Sequence, residues 1–231
     1  SDLGLTNANR VQLVVTMFAF GMVFGELVFG PISDAYGRKP AILVGLVIYC
    51  LGAGIAMSAT SLEQMLVGRI VQGIGVSGSK IGARALVRDQ FAGPSMAQVM
   101  SIIFGFLILV PMVAPALGQL LLLVANWQAI FVLYVMVAAL AALWLVLRQR
   151  ETLSNDRRIP IEPRSLWLNA VQILRHPLVM AYTVAAGLIF GAQLLFFATA
   201  HPLIAEVYGR GASFPVYFAA LAFGSGAASF V

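Results

Sequence analysis

Charged residues are absent from three long stretches of this chain. Residues 40–62, 90–147 and 176–205 contain no Asp, Glu, Lys or Arg. A membrane-spanning helix needs about 20 mostly apolar residues, so these stretches predict about one, two and one spans respectively. Each span must be helical, because lipid offers no partner to an unpaired backbone group. With the shorter apolar runs added, the pattern predicts seven helices, over residues 8–30, 41–58, 63–85, 96–122, 127–147, 177–200 and 213–231.

The composition agrees with the prediction of an all-α polytopic membrane protein. Of the 231 residues, 61% are hydrophobic and 10% are charged, whereas soluble domains average about 45–50% and about 25%. This excludes a soluble enzyme, a disordered chain and a disulfide scaffold, and Cys50 has no second cysteine in the sequence to pair with. The sequence offers no cluster of metal ligands and no Ser/His pair on a span, so we expect neither an enzyme nor a metal site. A membrane-embedded enzyme or receptor remains a remote alternative.

The distribution of Lys and Arg predicts the orientation of the spans. Ten of the fourteen basic residues fall on one side of the predicted membrane, and two, Arg10 and Arg210, fall on the other. The positive-inside rule assigns the side with ten to the cytosol, including the hydrophilic segment 148–176. The first span then starts outside, with no signal peptide before it, which predicts a further helix upstream. The basic residues sort to a membrane face, so we expect no nucleic-acid partner.

The loop after the first span carries the most specific motif. It reads Gly30-Pro31-Ile32-Ser33-Asp34-Ala35-Tyr36-Gly37-Arg38-Lys39-Pro40. The prolines and glycines predict that the first helix ends at Gly30–Pro31, that the chain turns at Gly37, and that Pro40 opens the next helix. This loop resembles the signature cytosolic loop of the major facilitator superfamily, G-x-x-x-D-x-x-G-R-K/R-P.

The resemblance implies a domain organisation. In that family the loop joins transmembrane helices 2 and 3, so the seven spans resemble helices 2–8 of twelve. Residues 1–147 then resemble the N-terminal half without its first helix, and 148–176 the central cytosolic loop. Residues 177–231 resemble the start of the C-terminal half. The loop residues Gly30, Asp34, Gly37, Arg38 and Lys39 are expected to form a conformational switch.

The third predicted helix carries cations in apolar surroundings. Its segment Arg69-Ile70-Val71-Gln72-Gly73-Ile74-Gly75 resembles the family's R-x-x-x-G-x-G motif. A mid-membrane cation costs roughly 2.5–3.5 kcal/mol on insertion scales, which favours a functional role for Arg69 over simple snorkelling. Lys80 falls about 20° from the face of Arg69 at 100° per residue, and it either reaches towards the cytosol or binds substrate. Five glycines, at 68, 73, 75, 78 and 82, predict close packing of neighbouring helices.

Two further features are assigned to transport. The fourth predicted helix contains Pro111, Pro115 and Gly118, of which the last two match the proline-glycine motif of antiporters in this superfamily, G-x-x-x-G-P-x-x-G-G. A plain packing kink is the alternative. Glu26, about one turn from the cytosolic end of the first span, is either a proton carrier or a structural partner for a basic loop residue. Arg69, Glu26 and Lys80 are therefore the candidate transport and coupling residues.

Smaller matches narrow the resemblance. Four segments occur together as they do in the Bcr/CflA type of drug:proton antiporter: Arg84–Asp89, Asn126-Trp127, Glu151-Thr152-Leu153 and His201-Pro202. This implies proton-driven efflux of small amphipathic drugs, such as bicyclomycin or chloramphenicol, by a monomer in the bacterial inner membrane. It implies no cofactor beyond the proton gradient, and partners limited to drug, protons and lipid. Uptake or metabolite symport on the same fold is the alternative.

Overall fold

The computed structural model describes residues 8–209, 213–214 and 216–220, and helices dominate these residues. The helices are α1 (Ala8–Tyr36), α2 (Arg38–Met57), α3 (Leu62–Gln90), α4 (Gly93–Val124), α5 (Gln128–Arg148), α6 (Pro163–Arg175) and α7 (Pro177–Pro202). A short 3₁₀ turn, Asn155–Arg157, lies between α5 and α6, and a π-helical turn, Leu203–Val207, follows α7. Of the seventh predicted span, 213–231, residues 216–220 are helical and most of the rest lies outside the described residues.

Six of the predicted spans are therefore helices, and the all-α membrane fold is confirmed. Among the described residues, three helical segments are long and apolar enough to cross a membrane: Gln12–Tyr36, Arg38–Met57 and Gln128–Arg148. The helices α3, α4 and α7 have 29, 32 and 26 residues, also long enough to cross. Of these, α4 and α7 carry no Asp, Glu, Lys or Arg, whereas α3 carries Arg69, Lys80 and Arg84 along its length.

The first helix does not end where the sequence predicted. It continues through Pro31 to Tyr36, so the predicted end at Gly30–Pro31 is wrong. One proline removes a single N–H donor, which a long helix tolerates when its neighbours hold it. The actual stop is Gly37, whose φ of 113° favours glycine and whose N–H donates to the Ser33 carbonyl at 3.1 Å. The next helix begins directly at Arg38.

The described chain divides into two compact units. One contains residues of Ser1–Ile159 and Pro215–Val231, and the other contains Pro160–Phe214. The division at Ile159 falls inside the segment 148–176 that was predicted to be the central loop. The assignment of the units to transporter halves stays a prediction.

Helix α3 packs between α1 and α2 in the first unit. A Cβ atom at Gly73 would overlap the Phe18 carbonyl oxygen of α1, and one at Gly75 would overlap the Tyr49 backbone of α2. The prediction that the glycines of α3 allow close approach is thus confirmed on both of its faces. At the end of α2, a small apolar core joins α2, α3 and α5 through Ala53, Ala56, Met65 and Phe131.

Candidate functional site

One face of α1 lines the two cations of α3. Arg69 contacts Val14 and Phe18, while Lys80 contacts Met22 and Glu26. These four residues of α1 are spaced four apart, which places them in one row along the helix. Residues early in α1 contact residues early in α3, and later residues contact later ones, so the two helices run parallel. The predicted common face of Arg69 and Lys80 is therefore present, and it is directed towards α1.

Glu26 and Lys80 form an ion pair between α1 and α3. The ammonium of Lys80 donates to Glu26 Oε1, and the side chains of Lys80 and Glu26 retain 28% and 37% of their accessible surface respectively. Two of the three candidate coupling residues are thus brought together. The partner of Glu26 is a basic residue on a neighbouring helix rather than in a loop. Pairing reduces the cost of placing both charges in apolar surroundings, because each supplies the hydrogen-bond partner that lipid lacks.

Arg69 is held by neutral groups. Its Nε–H donates to the Val14 carbonyl at 3.1 Å, a terminal N–H donates to Gln72 Oε1 at 3.0 Å, and the guanidinium lies 4.4 Å from the centre of the Phe18 ring. No carboxylate pairs with it among the described residues. Gln72 is fully buried, and within the described part of the chain its Nε2 has no hydrogen-bond partner. This region therefore combines an unneutralised guanidinium with an unused amide donor.

The signature loop is the centre of a second group of charges, which we call the loop cluster: Asp34, Arg38, Lys39, Asp89 and Glu151. Asp34 lies in the last turn of α1 and pairs with the guanidinium of Arg38. The same guanidinium donates through Nε to Asp89 at the end of α3, at 3.0 Å. Arg38 is 8% exposed. One buried arginine thus joins the ends of α1 and α3 at the start of α2.

Glu151 ties this loop to the segment that follows α5. Its carboxylate accepts from the backbone N–H groups of Arg38 and Lys39, both at 3.0 Å, and from those of Thr152 and Leu153, both at 2.9 Å. Partial burial raises the pKa of Glu151, but these four backbone donors outweigh it, so the pKa lies below its ordinary value. The carboxylate provides the N-terminal cap that Gly37, lacking a side chain, does not give α2.

Lys39 and Asp89 complete the loop cluster. The Lys39 ammonium donates to the carbonyls of Val146 and Gln149, at 3.0 and 2.8 Å, where α5 ends. The Thr152 hydroxyl donates to Asp89 Oδ2 at 3.1 Å. Sequence reasoning missed Glu151 and Asp89 as site residues, although both lie in segments that carried the resemblance. The available signal was that α2 starts with exposed backbone donors and no acceptor beside them.

Helix α4 places the proline-glycine motif apart from both charged groups. It is a continuous helix through Pro111, Pro115 and Gly118, and a Cβ atom at Gly118 would meet nothing within 4 Å. Pro115 is half-buried. The motif therefore presents a surface with room for a close neighbour, and its part in antiport stays a prediction.

The comparisons with known proteins agree with this arrangement. The family model of the Major Facilitator Superfamily matches residues 1–231, and the chain belongs to that superfamily. It is 32% identical over 200 residues to a bicyclomycin resistance protein homolog of Haemophilus influenzae, covering 87% of this chain and 50% of that protein. It is also 32% identical over 200 residues to a chloramphenicol resistance protein of Pseudomonas aeruginosa, covering 81% and 48% of the two chains.

A third relative and a solved structure are also similar to this chain. The multidrug resistance protein MdtL of Klebsiella pneumoniae is 33% identical over 151 residues, 65% of this chain and 38% of MdtL. The crystal structure of the human organic anion transporter MFSD10 has a TM-score of 0.57 at 22% identity, over 73% of this chain and 38% of that one, and shows the fold alone. The resemblance to the Bcr/CflA type is thus confirmed, and the chain spans about half the length of the curated relatives it matches.

Proposed function

We propose that this protein takes part in proton-coupled efflux of small amphipathic compounds by alternating access. The observation that carries the proposal is the Glu26–Lys80 ion pair between two membrane helices. Ionisable residues inside a membrane are costly, and they mark ion and substrate pathways. The class of substrate is supported by the relatives, which are named for resistance to bicyclomycin, chloramphenicol or several drugs.

The ion pair suits an exchange of proton for substrate. Protonation of Glu26 removes its negative charge and leaves the ammonium of Lys80 without that counter-charge. A substrate that enters during the opposite half of the transport cycle changes the surroundings of the pair and favours release of the proton. About a third of each side chain is accessible, which allows a proton or a substrate to reach it. Coupling then follows from the preference of each ligand for one conformation of the protein.

Arg69 is proposed as the third coupling residue. Its charge is held by the Val14 carbonyl, the Gln72 amide and the Phe18 ring, so among the described residues no carboxylate neutralises it. An acidic residue of a further helix, or a polar group of the substrate, would find a fixed positive charge and the free Gln72 amide donor at this place. The planar guanidinium also makes directed bonds that a lysine ammonium does not.

The loop cluster is proposed as the conformational switch on the cytosolic side. Asp34, Arg38 and Asp89 connect the ends of three helices, and Glu151 and Lys39 connect them to the end of α5. Such a network stabilises one arrangement of the helix ends, and motion between inward-open and outward-open states has to break part of it. The cytosolic position of this cluster is proposed from the ten-to-two division of basic residues. The membrane is proposed to be a bacterial inner membrane.

The experiment is drug-dependent proton movement in proteoliposomes that contain the protein. We expect Glu26→Gln to reduce the exchange at least tenfold, and Arg69→Ala to abolish it while the protein still inserts. Arg69→Lys keeps the positive charge but loses the planar fork, and it too should lose most of the exchange. Glu63→Gln, an exposed carboxylate in the first turn of α3, is the matched control and should leave exchange unchanged.

The double variant Glu26→Gln/Lys80→Gln separates coupling from packing. It replaces the ion pair by two neutral side chains that can hydrogen-bond to each other. If the ion pair only held the helices together, this variant would restore the contact and also the proton exchange. We expect exchange to stay low. Normal coupling in Glu26→Gln or in Arg69→Ala would contradict the role given to that residue. Drug and protons moving in the same direction would favour the symport alternative.

A further inference from the structure

Helix α6 is amphipathic, although it lies in the most hydrophilic segment of the chain. At about 100° per residue, its apolar side chains share one side of the helix and its uncharged polar side chains share the other. The apolar side holds Leu166, Trp167, Ala170, Val171, Ile173 and Leu174. The polar side holds Ser165, Asn169 and Gln172, with Leu168 among them. Arg164 and Arg175 fall about 20° apart, along one border of the apolar side. This pattern is typical of a helix that lies in a membrane surface.

The apolar side of α6 is not covered by the described residues. Trp167 is 70% exposed, and Ile173 and Leu174 are also exposed. Arg164 and Arg175 are exposed too, and within the described residues neither forms an ion pair. The helix therefore offers an apolar strip bordered by two guanidinium groups that lie eleven residues, or about 16 Å, apart along its axis.

The joint between α6 and α7 sets the direction of this strip. Pro177 disfavours a helical conformation at His176, which is extended with φ −84° and ψ 109°. The His176 Nδ1 atom then accepts from the N–H of Val179 at 3.4 Å and caps α7. The axes of Pro163–Arg175 and Pro177–Gln193 consequently meet at 84°. Helix α7 has 26 residues and no charged side chain, so it is expected to cross the membrane. A helix perpendicular to it then runs along the membrane surface.

We propose that α6 is an interfacial helix that binds the surface of an anionic lipid membrane. The apolar strip, with Trp167 near its middle, enters the boundary between headgroups and acyl chains, where aromatic side chains are favoured. Arg164 and Arg175 extend from the border of the strip and bind lipid phosphates, for which the guanidinium fork is suited. The proposal does not depend on what the protein transports, and it holds for either membrane face.

Depth-dependent fluorescence quenching tests the position of the helix. With Trp127→Phe and Trp144→Phe, Trp167 is the remaining tryptophan of this sequence, and the protein is placed in vesicles whose lipids are brominated near the headgroup or near the chain end. We expect the shallow bromines to quench Trp167 several-fold more strongly. In the control, Trp167→Phe with Gln172→Trp, the tryptophan lies on the polar side, and quenching should be weak with red-shifted emission.

Two outcomes would overturn this position. Absence of quenching would mean that protein covers the strip, and stronger quenching by deep bromines would mean that α6 continues the α7 span. If the tryptophan variants fail to fold, a bimane label at Leu166→Cys in a Cys50→Ala background replaces Trp167 as reporter. The same preference for shallow bromines is expected.

The lipid headgroup is tested by composition. In phosphatidylglycerol vesicles we expect quenching of Trp167 to be about twice that in phosphatidylcholine, because each arginine near an anionic surface gains attraction. The difference should disappear in the Arg164→Gln/Arg175→Gln variant and at high salt, where surface charges are screened. Equal quenching in both lipids would overturn the preference for anionic headgroups.

Discussion

At the scale of single residues, the cost of placing a charged side chain in apolar surroundings is reduced in two ways. Glu26 and Lys80 neutralise each other across two helices, whereas Arg69 is held by a carbonyl, an amide and an aromatic ring. A paired charge is stabilised but costly to separate, and an unneutralised one is ready for a new partner. This difference is why we assign the pair to the proton and Arg69 to the coupling step.

Glu151 gives a prediction about stability and pH. Its folded-state pKa is lowered, so its stabilising contribution is complete above the unfolded value of about 4.3 and is lost as pH falls through the lower folded value. Glu151→Gln should lower the stability of the detergent-solubilised protein at neutral pH by about 1 kcal/mol, as for a lost helix cap. It should also reduce the loss of stability on acidification below about pH 4.3.

Thermal unfolding, followed by reaction of the half-buried Cys50 with a thiol-sensitive dye, measures this effect. Glu162→Gln, an exposed carboxylate in the same hydrophilic segment, is the control and should behave as the unmodified protein. Identical pH profiles for Glu151→Gln and the unmodified protein would show that the carboxylate contributes nothing as a cap.

At the scale of elements, α3 organises the first unit because small residues on both of its faces admit backbone contact. Gly73 is directed at α1 and Gly75 at α2. Parallel packing of α1 along α3 is also what brings Glu26 to Lys80 and Val14 to Arg69. The contacts of the proposed coupling residues thus depend on the distance between these helices.

Gly73→Ala is therefore expected to destabilise the protein by about 1–3 kcal/mol, since its Cβ atom would overlap the backbone of α1. It should also weaken the Arg69 contacts with Val14 and Phe18, two residues on the same stretch of α1. Gly118→Ala on α4, where a Cβ atom meets nothing within 4 Å, is the matched control. Unfolding temperatures of the two variants in detergent provide the measurement, and equal values would contradict the packing role.

The sequence predicted elements better than their connections. Long uncharged runs determine where helices lie, so six predicted spans agree with α1–α5 and α7 to within several residues. The end of α1 was misplaced because Pro31 was given more weight than Gly37. Helix α6 was missed because six arginines define the segment 148–176 as hydrophilic, while its helical periodicity extends over 13 residues. The Glu151 contacts join positions 112 and 113 residues apart, a distance that no local pattern reports.

At the scale of the whole molecule, membrane topology determines on which side of the membrane each end of α2 lies. Helix α2 has 20 residues, or about 30 Å, which is the thickness of a bilayer core. The loop cluster at its start and the turn after Met57 must then lie on opposite faces. The distribution of basic residues predicts that the loop cluster faces the cytosol.

Single cysteines test this topology. In a Cys50→Ala background we expect Thr60→Cys to react with an impermeant thiol reagent in intact cells, and Asn155→Cys to react only after the cells are opened. Both positions are exposed within the first unit, so differences in burial do not explain a difference in reactivity. Labelling of Asn155→Cys, but not Thr60→Cys, in intact cells would reverse the orientation.

The cap that Glu151 places on α2 also has a consequence for the order of events during synthesis. The first turn of α2 receives its acceptor from a residue 113 positions further along the chain. A ribosome adds about 5–20 residues per second, so this acceptor emerges on the order of ten seconds after Arg38. Helices α1, α2 and α3 can pair before that time, but their shared end is completed only when α5 has been translated. The N-terminal cap of α2 is thus among the last contacts of this group of helices to form during synthesis.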